Sequence, residues 1–442
     1  MRLKVSYFRK TAVFRAAAAA GTLALLAFVP SRVIQACSDL MEPTGTDTHF
    51  PRVYGDRPTV AQLTDLGRRI FSDASLSASG RQSCASCHDP ASAYGPPNRA
   101  PVQAGGPQMD RFGFRNTPSL RYLHSPMAFT EHFFEIEPTG GKDDQGPTGG
   151  RTWDGRVDSG HDQALMPLMD GNEMANASHE DIAARLRKSP YAADFARALS
   201  PDGENVLDDV EATVAWMTVA LETFEQSPSD FHPFSSKFDA YLRDQVQLSP
   251  QEQRGMAVFN DMKKGNCASC HPSTHKNAGV RFPLFTDMGY NALGVPRNVA
   301  LPANRKPDFF DLGLCGPLRV DLKERTEYCG MFRTPTLRNV ALRHNFFHNG
   351  AVHTLREAVA FYATRDTAPQ QWYPRGAGGK AEAFNDLPQP YQGNVYTGIP
   401  FKPLANGQSR LTGREIDDIV AFLGTLSDGY VPPKPGRRAI KP

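Results

Sequence analysis

With 442 residues the chain is too long for one ordinary hydrophobic core and fits two domains plus extra segments. Its 40% hydrophobic and 22% charged residues are an ordinary globular composition. The formal net charge of +2, with no basic stretch suited to nucleic acid, excludes that partner class, and 37 glycines with 36 prolines predict long ordered loops between helices.

The first 36 residues read as a signal peptide. Arg2, Lys4, Arg9, Lys10 and Arg15 form a positive n-region, and residues 16–29 are apolar and uncharged. That run is too short to span a bilayer and has the length of a signal-peptide core; a membrane anchor helix is the alternative. Export places the mature chain in the periplasm, where disulfides persist. Ile34-Gln35-Ala36-Cys37 is an imperfect lipoprotein cleavage site, at which lipidation of Cys37 would tether the protein to a membrane. Arg32 and Gln35 depart from that pattern, and cleavage near Ala36 with release is the other reading. Residues 37–58 are expected to be a linker.

Residues 60–71 (VAQLTDLGRRIF) carry Leu63, Leu66 and Ile70 at helical spacing. This predicted helix leads to the first of two C-x-x-C-H motifs, Cys84-Ala85-Ser86-Cys87-His88; the second is Cys267-Ala268-Ser269-Cys270-His271. The chemistry requires this spacing. Two thiols add to the two vinyl groups of one haem, and the adjacent histidine is then held beneath the iron as its axial ligand. Chance would give on the order of 0.003 such motifs in a chain with this many cysteines and histidines. Two behind an export signal therefore point to two covalent c-type haems, with zinc or a thioredoxin-like pair as the alternative uses.

Val210, Val214, Met217, Leu221 and Phe224 form one apolar stripe that ends near Pro228 and Pro233. Ser249-Pro250-Gln251-Glu252 is a capping box with proline at the first helical position, opening a helix through Met256, Val258 and Phe259 ahead of the second motif. Cys315 and Cys329 flank a short, turn-rich, charged stretch, and in an oxidising compartment they are expected to form a structural disulfide. Thr412-Gly413-Arg414-Glu415 caps a last helix through Ile416, Ile419, Phe422 and Leu423. There is also an internal echo: Phe114-Arg115-Asn116-Thr117-Pro118-Ser119-Leu120-Arg121 resembles Phe332-Arg333-Thr334-Pro335-Thr336-Leu337-Arg338. No stretch has an alternation worth a sheet. The fold class is therefore mainly α: two tandem cytochrome c-like haem domains with long loops, at 59–232 and 233–430, joined around 227–237, with a tail at 431–442.

The string FRTPTLRNVALRHNFFHNGAVHTLREAVAFY (332–362), WDGR at 153–156 and two C-x-x-C-H motifs about 180 residues apart resemble the bacterial di-haem cytochrome c peroxidase/MauG family. The similarity covers roughly residues 60–430. The resemblance implies two cytochrome c-like domains with a calcium ion between the haems. It makes His88 the proximal ligand of a peroxide-reactive haem whose other face is open, and His271 the ligand of an electron-transfer haem. It places Trp153 between the haems as a relay and lines the distal pocket with Gln163, Pro167 and Glu173. Glu173 would be the acid–base catalyst, since one proton must leave the bound oxygen and another must reach the departing one. Asn116 matches the calcium-binding asparagine, the other protein ligands being carbonyls near Arg343 and Asn345. Family members usually have Thr and Pro at those two positions. Carbonyl ligation tolerates the change, but a nearby arginine repels the ion. His348 is implied to lie near the second haem without ligating it. His275, His344 and His353 read as surface histidines.

Two departures bear on function. Many members carry a histidine in the loop after the first motif that blocks the peroxide site until reduction. The matching position here is Gln108, and no histidine occurs between His88 and His124, so the first haem is expected to be open without reductive activation. Second, where members of the peroxidase type have methionine as the sixth ligand of the second haem, this chain has Tyr362, as MauG-like members do. Residues 354–364 read as a helix with Leu355, Val359 and Tyr362 on one face. A phenolate favours ferric and higher oxidation states, whereas methionine raises the potential.

The function expected is a periplasmic di-haem peroxidase that cleaves hydrogen peroxide at the first haem. Its electrons would come through the second haem from a small cytochrome or cupredoxin. The alternatives are a MauG-like oxidase that modifies side chains of a partner protein and a non-enzymatic di-haem electron carrier.

Overall fold

A computed structural model of the protein describes residues 58–124, 126–136, 142–274 and 282–433. They all belong to one unit, His49–Pro442. The signal segment, Cys37, His275 and all but the first three residues of the 431–442 tail lie outside the described residues, as does the linker apart from its last residue.

Helix α1 (Val60–Ser72) opens from a capping box in which Thr59 and Gln62 satisfy each other's backbone amides, and it buries Leu63, Leu66, Ile70 and Phe71. Besides the single turns Cys84–Cys87 and Pro228–Phe231, the longer helices that follow are α2 (Gly160–Met169), α3 (His179–Leu186), α4 (Ala192–Leu199) and α5 (Val210–Glu225). The second half contributes α6 (Lys237–Leu242), α7 (Pro250–Asn260), α8 (Leu355–Thr364) and α9 (Gly413–Gly424). The boxes expected at Ser249 and Thr412 are both formed.

Each half is built around one helix crossing. A Cβ on Gly67 of α1 would lie 2.0 Å from the Ala220 carbonyl oxygen of α5. A Cβ on Gly255 of α7 would lie 1.9 Å from the Asp418 oxygen of α9. Only glycine lets two backbones approach this closely. Around the crossings the buried apolar side chains form two main clusters. One runs from Leu63 to Phe231 and centres on edge-to-face contacts of Phe71 with Tyr94, Phe224 and Phe231. The other runs from Phe238 to Leu426 and centres on Phe238, Phe259, Phe285 and Phe422.

The expectation of no sheet needs a small correction. Three antiparallel pairs form: β1 (Ala104–Gly105) with β2 (Arg111–Phe112), β3 (Phe134–Ile136) with β4 (Lys142–Asp144), and β5 (Tyr290–Asn291) with β6 (Phe332–Arg333). Two or three residues are too few to leave an alternation in sequence. Cys315 and Cys329 are joined by a disulfide, with Cα atoms 5.0 Å apart.

The internal echo is visible in the backbone. Tyr122 and Asn339, which follow the two Leu-Arg pairs, both adopt left-handed conformations, with φ of 64° and 60°. Asp428 ties the two copies together. It accepts from Arg121 at 2.9 Å and Tyr122 at 2.7 Å on one side, and from Asn339 at 2.7 Å on the other.

Candidate haem sites

Cys84–Cys87 is a single helical turn with His88 at its end, the His88 amide donating to the Cys84 carbonyl at 2.8 Å. The second motif repeats this turn, with the His271 amide 2.8 Å from the Cys267 oxygen. What each ring does next decides its chemistry. Nδ1 of His88 lies 3.2 Å from the Tyr94 carbonyl, and Nδ1 of His271 lies 2.9 Å from that of Phe285. An Nδ1–H held on a carbonyl fixes the ring and leaves Nε2 to bind metal. Burial pushes both imidazoles down to about 4, so both are neutral, as a ligand must be.

Tyr94 and Phe285, whose carbonyls orient the rings, each have φ of 55°. Non-glycine residues in this region store strain, and sites where two matched elements share it are functional candidates. Neither was legible in the sequence. The carbonyls of Pro118 and Pro335, from the two copies of the echo, also face the His88 and His271 rings. Repetition was thus the readable signal of the second contact.

At the second site a cavity of about 240 Å³ is lined by Cys267, Cys270, His271, Trp153, Asn116 and Tyr362 among others. Leu355, Val359 and Tyr362 all line it, so α8 presents the expected face. Tyr362 packs against Phe401 at 5.1 Å, and burial pushes its phenol well above the ordinary range. A buried phenol ionises only if a cation compensates. His348 also lines the cavity, stacked on Phe332 at 3.5 Å. His344 and His353 are exposed, as expected.

At the first site Gln163 and Pro167 lie four apart on α2, both half-buried. Pro167 has no amide for the Gln163 carbonyl, and its own carbonyl accepts from Met174 at 3.0 Å, just past Glu173. The Glu173 carbonyl accepts from Gly106 at 2.7 Å, which docks the β1–β2 hairpin on the Glu173 loop. Glu173 is exposed, yet surrounding protein atoms desolvate its carboxyl. That desolvation, with the Asp170 charge second, pushes its carboxyl up to about 7. Its charge bears on both Cys84 and Cys87, so the structure brings it to the first motif. Gln108 is exposed at the tip of the hairpin, with its carbonyl held by Arg81 at 2.9 Å.

Two further residues at this site were missed. Gln82 is buried and reaches Cys87 Sγ at 3.5 Å. Glu225 of α5 bears on Cys84 and is pushed up to about 7, by burial first, with Arg151 opposing.

Trp153 Nε1 donates to the Asn116 carbonyl at 2.8 Å. Asn116 is itself buried. Its Nδ2 faces the carbonyls of Asn345 at 3.0 Å and Phe347 at 3.3 Å, while its Oδ1 has no partner. A buried oxygen without a donor beside converging carbonyls suits a hard cation once the amide is turned. These residues therefore fit calcium, and the two motifs fit haem.

A chain with two C-x-x-C-H turns, each ending in a carbonyl-held histidine, has the architecture of a di-haem protein. Comparison with known proteins makes this specific. A model of the di-haem cytochrome c peroxidase family matches residues 61–247. The chain is 32% identical to the methylamine utilization protein MauG of Paracoccus denitrificans over 84% of this chain and 90% of that one. It is 26% identical to the cytochrome c peroxidase Ccp of Escherichia coli, over 85% and 60%. Among solved structures it is similar to the diheme peroxidase BthA from Burkholderia thailandensis, with a TM-score of 0.72, 39% identity, and 84% and 87% coverage. The chain belongs to the di-haem cytochrome c peroxidase/MauG family, and it is an oxidoreductase acting on peroxide.

Proposed function

We propose that the protein is a periplasmic di-haem peroxidase. Covalent haem at Cys84, Cys87 and His88 would receive hydrogen peroxide, and haem at Cys267, Cys270 and His271 would relay electrons to it. The observation that carries this reading is the contrast between the two sites: a carboxyl poised near neutrality beside the first and a phenol facing the second. When bound at His88, haem supplies the iron at which the O–O bond breaks. Two electrons and two protons convert each peroxide to two waters. Glu173 takes a proton from the incoming peroxide and returns it to the departing oxygen, a task suited to a carboxyl near 7. Gln163 and Pro167 wall the pocket, and Trp153, fixed by its bond to Asn116, is the relay between the sites. The exposed position of Gln108 supports a first haem open without reductive activation.

The reading includes haem domains at 59–232 and 233–430, supported by the two buried clusters. It includes calcium at Asn116, supported by the unpaired Oδ1. It also includes export, with a lipid tether at Cys37 as its membrane-bound form. No helix among the described residues is long and apolar enough to cross a membrane. The reductant is a small cytochrome or cupredoxin. Tyr362 favours a second reading, in which the oxidised pair draws electrons from side chains of a partner protein, because an anionic oxygen ligand stabilises oxidised iron.

The test is to mix the isolated ferric protein with one equivalent of peroxide in a stopped-flow spectrometer. An immediate change in the haem spectrum is expected without prior reduction. A spectrum that stays unchanged, in protein whose mass shows two haem additions, contradicts the reading.

A further inference from the structure

Buried arginines in this protein are generally given a carboxylate. Arg115 pairs with Asp154 and Asp311 at 2.7 Å, Arg338 with Asp239 at 2.7 Å, Arg365 with Asp366 at 2.6 Å, and Arg297 with Asp386 at 3.2 Å. Two arginines on one cavity are treated differently: Arg333, which donates to the Gly150 carbonyl at 2.7 Å and has no carboxylate partner among the described residues, and Arg343. Arg343 follows the turn Val340–Leu342, is strongly desolvated, and lines the cavity that holds His271 and Tyr362. Among the described residues it has no carboxylate in ion-pairing reach, and Nη2 donates to the Thr117 carbonyl at 2.8 Å. Thr117 precedes Pro118, whose carbonyl faces His88, and the Arg343 charge is felt at the His88 ring. One guanidinium from the second half thus lines the cavity of the second histidine while its charge reaches the first.

A desolvated charge without a counter-charge is costly, and one facing a cofactor cavity is normally balanced by the cofactor. Guanidinium is also the group whose planar fork matches a carboxylate. We propose that Arg343 is the receptor for a propionate carboxylate of the second haem, and that its fixed positive charge raises the reduction potentials of both haems. The proposal rests on haem binding at the two motifs but not on peroxide chemistry. The reason for a shared effect is Coulomb's law: a nearby positive charge favours the form of iron with one charge fewer, and a dehydrated site screens that effect poorly.

The test is spectroelectrochemical titration of the holoprotein as wild type, Arg343→Met and Arg343→Lys. Arg343→Met should shift both midpoint potentials downward, while Arg343→Lys, which keeps the charge, should restore most of the loss. Unchanged potentials in Arg343→Met protein carrying both haems overturn the proposal. Should Arg343→Met fail to hold haem, resonance Raman spectra of the wild type and Arg343→Lys decide. A propionate bending band that moves when guanidinium becomes ammonium supports the contact, and a band that stays in place overturns it. Failure of the peroxidase reading would appear separately, as shifted potentials in a protein inert to peroxide.

Discussion

In the proposed mechanism Glu173 carries the most chemistry of any single side chain at the first site. Glu173→Gln keeps its size and removes its proton exchange, so peroxide cleavage measured by stopped flow should slow by roughly 10²–10⁴-fold. The pH dependence has a definite sign. In the proposed mechanism the base that accepts the first proton is the carboxylate, whose population grows as pH rises through about 7, the value to which desolvation by surrounding protein atoms, with Asp170, pushes this group. The cleavage rate should therefore climb with pH through that region and level off above it. The climb should vanish in Glu173→Gln; an identical profile in the variant would mean that another group titrates. Glu173 could be named from sequence only because a family motif surrounded it. The carbonyls of Tyr94 and Phe285 could not be named, because a left-handed backbone at tyrosine or phenylalanine has no residue signature.

At the scale of elements, the α1–α5 and α7–α9 crossings depend on Gly67 and Gly255. Gly67→Ala should push α1 off α5 and cost about 1–3 kcal/mol, as overpacking of a filled interface does. Guanidine denaturation of the holoprotein measures it, and a neutral substitution would show that the helices part easily. The junction between the halves carries a second prediction. His124 and His232 stack at 4.1 Å, and both Nδ1 atoms are buried without partners. Burial pushes His124 down to about 4 and His232 down as well. The unfolded chain gains protons below about 6.5 that the folded chain does not. Stability should thus fall as pH drops from about 6.5 towards 4 and should not respond to these groups above that window. His124→Phe should flatten the fall, and an equal slope in wild type and variant would remove this pair from the explanation. Helices and caps were legible because their signals are local. The β1–β2 hairpin that docks on the Glu173 loop was not, since strands of two residues leave no alternation to read.

For the whole molecule, the duplication is the organising fact. Two helix crossings, two carbonyl acceptors on left-handed residues and two copies of the Thr-Pro-x-Leu-Arg segment build two similar histidine sites, and Asp428 joins the copies. The sequence announced this through the echo and the paired motifs, but the joining side chain lies far from both. The Cys315–Cys329 disulfide closes a separation of 14 residues, and Cys315→Ser with Cys329→Ser should cost ~3 kcal/mol in denaturation experiments while leaving both haem spectra intact. In the proposed reading, what the duplication leaves unequal is the sixth position at each iron, and the functional division would depend on that inequality. The most direct measurement is the electronic and paramagnetic resonance spectrum of the ferric holoprotein before and after Tyr362→Phe. The wild type should show one high-spin haem and one low-spin haem, and the substitution should abolish the low-spin signal while the high-spin signal stays. A low-spin signal unchanged by Tyr362→Phe would contradict tyrosine ligation, and a wild type with only low-spin haem would contradict an open first site.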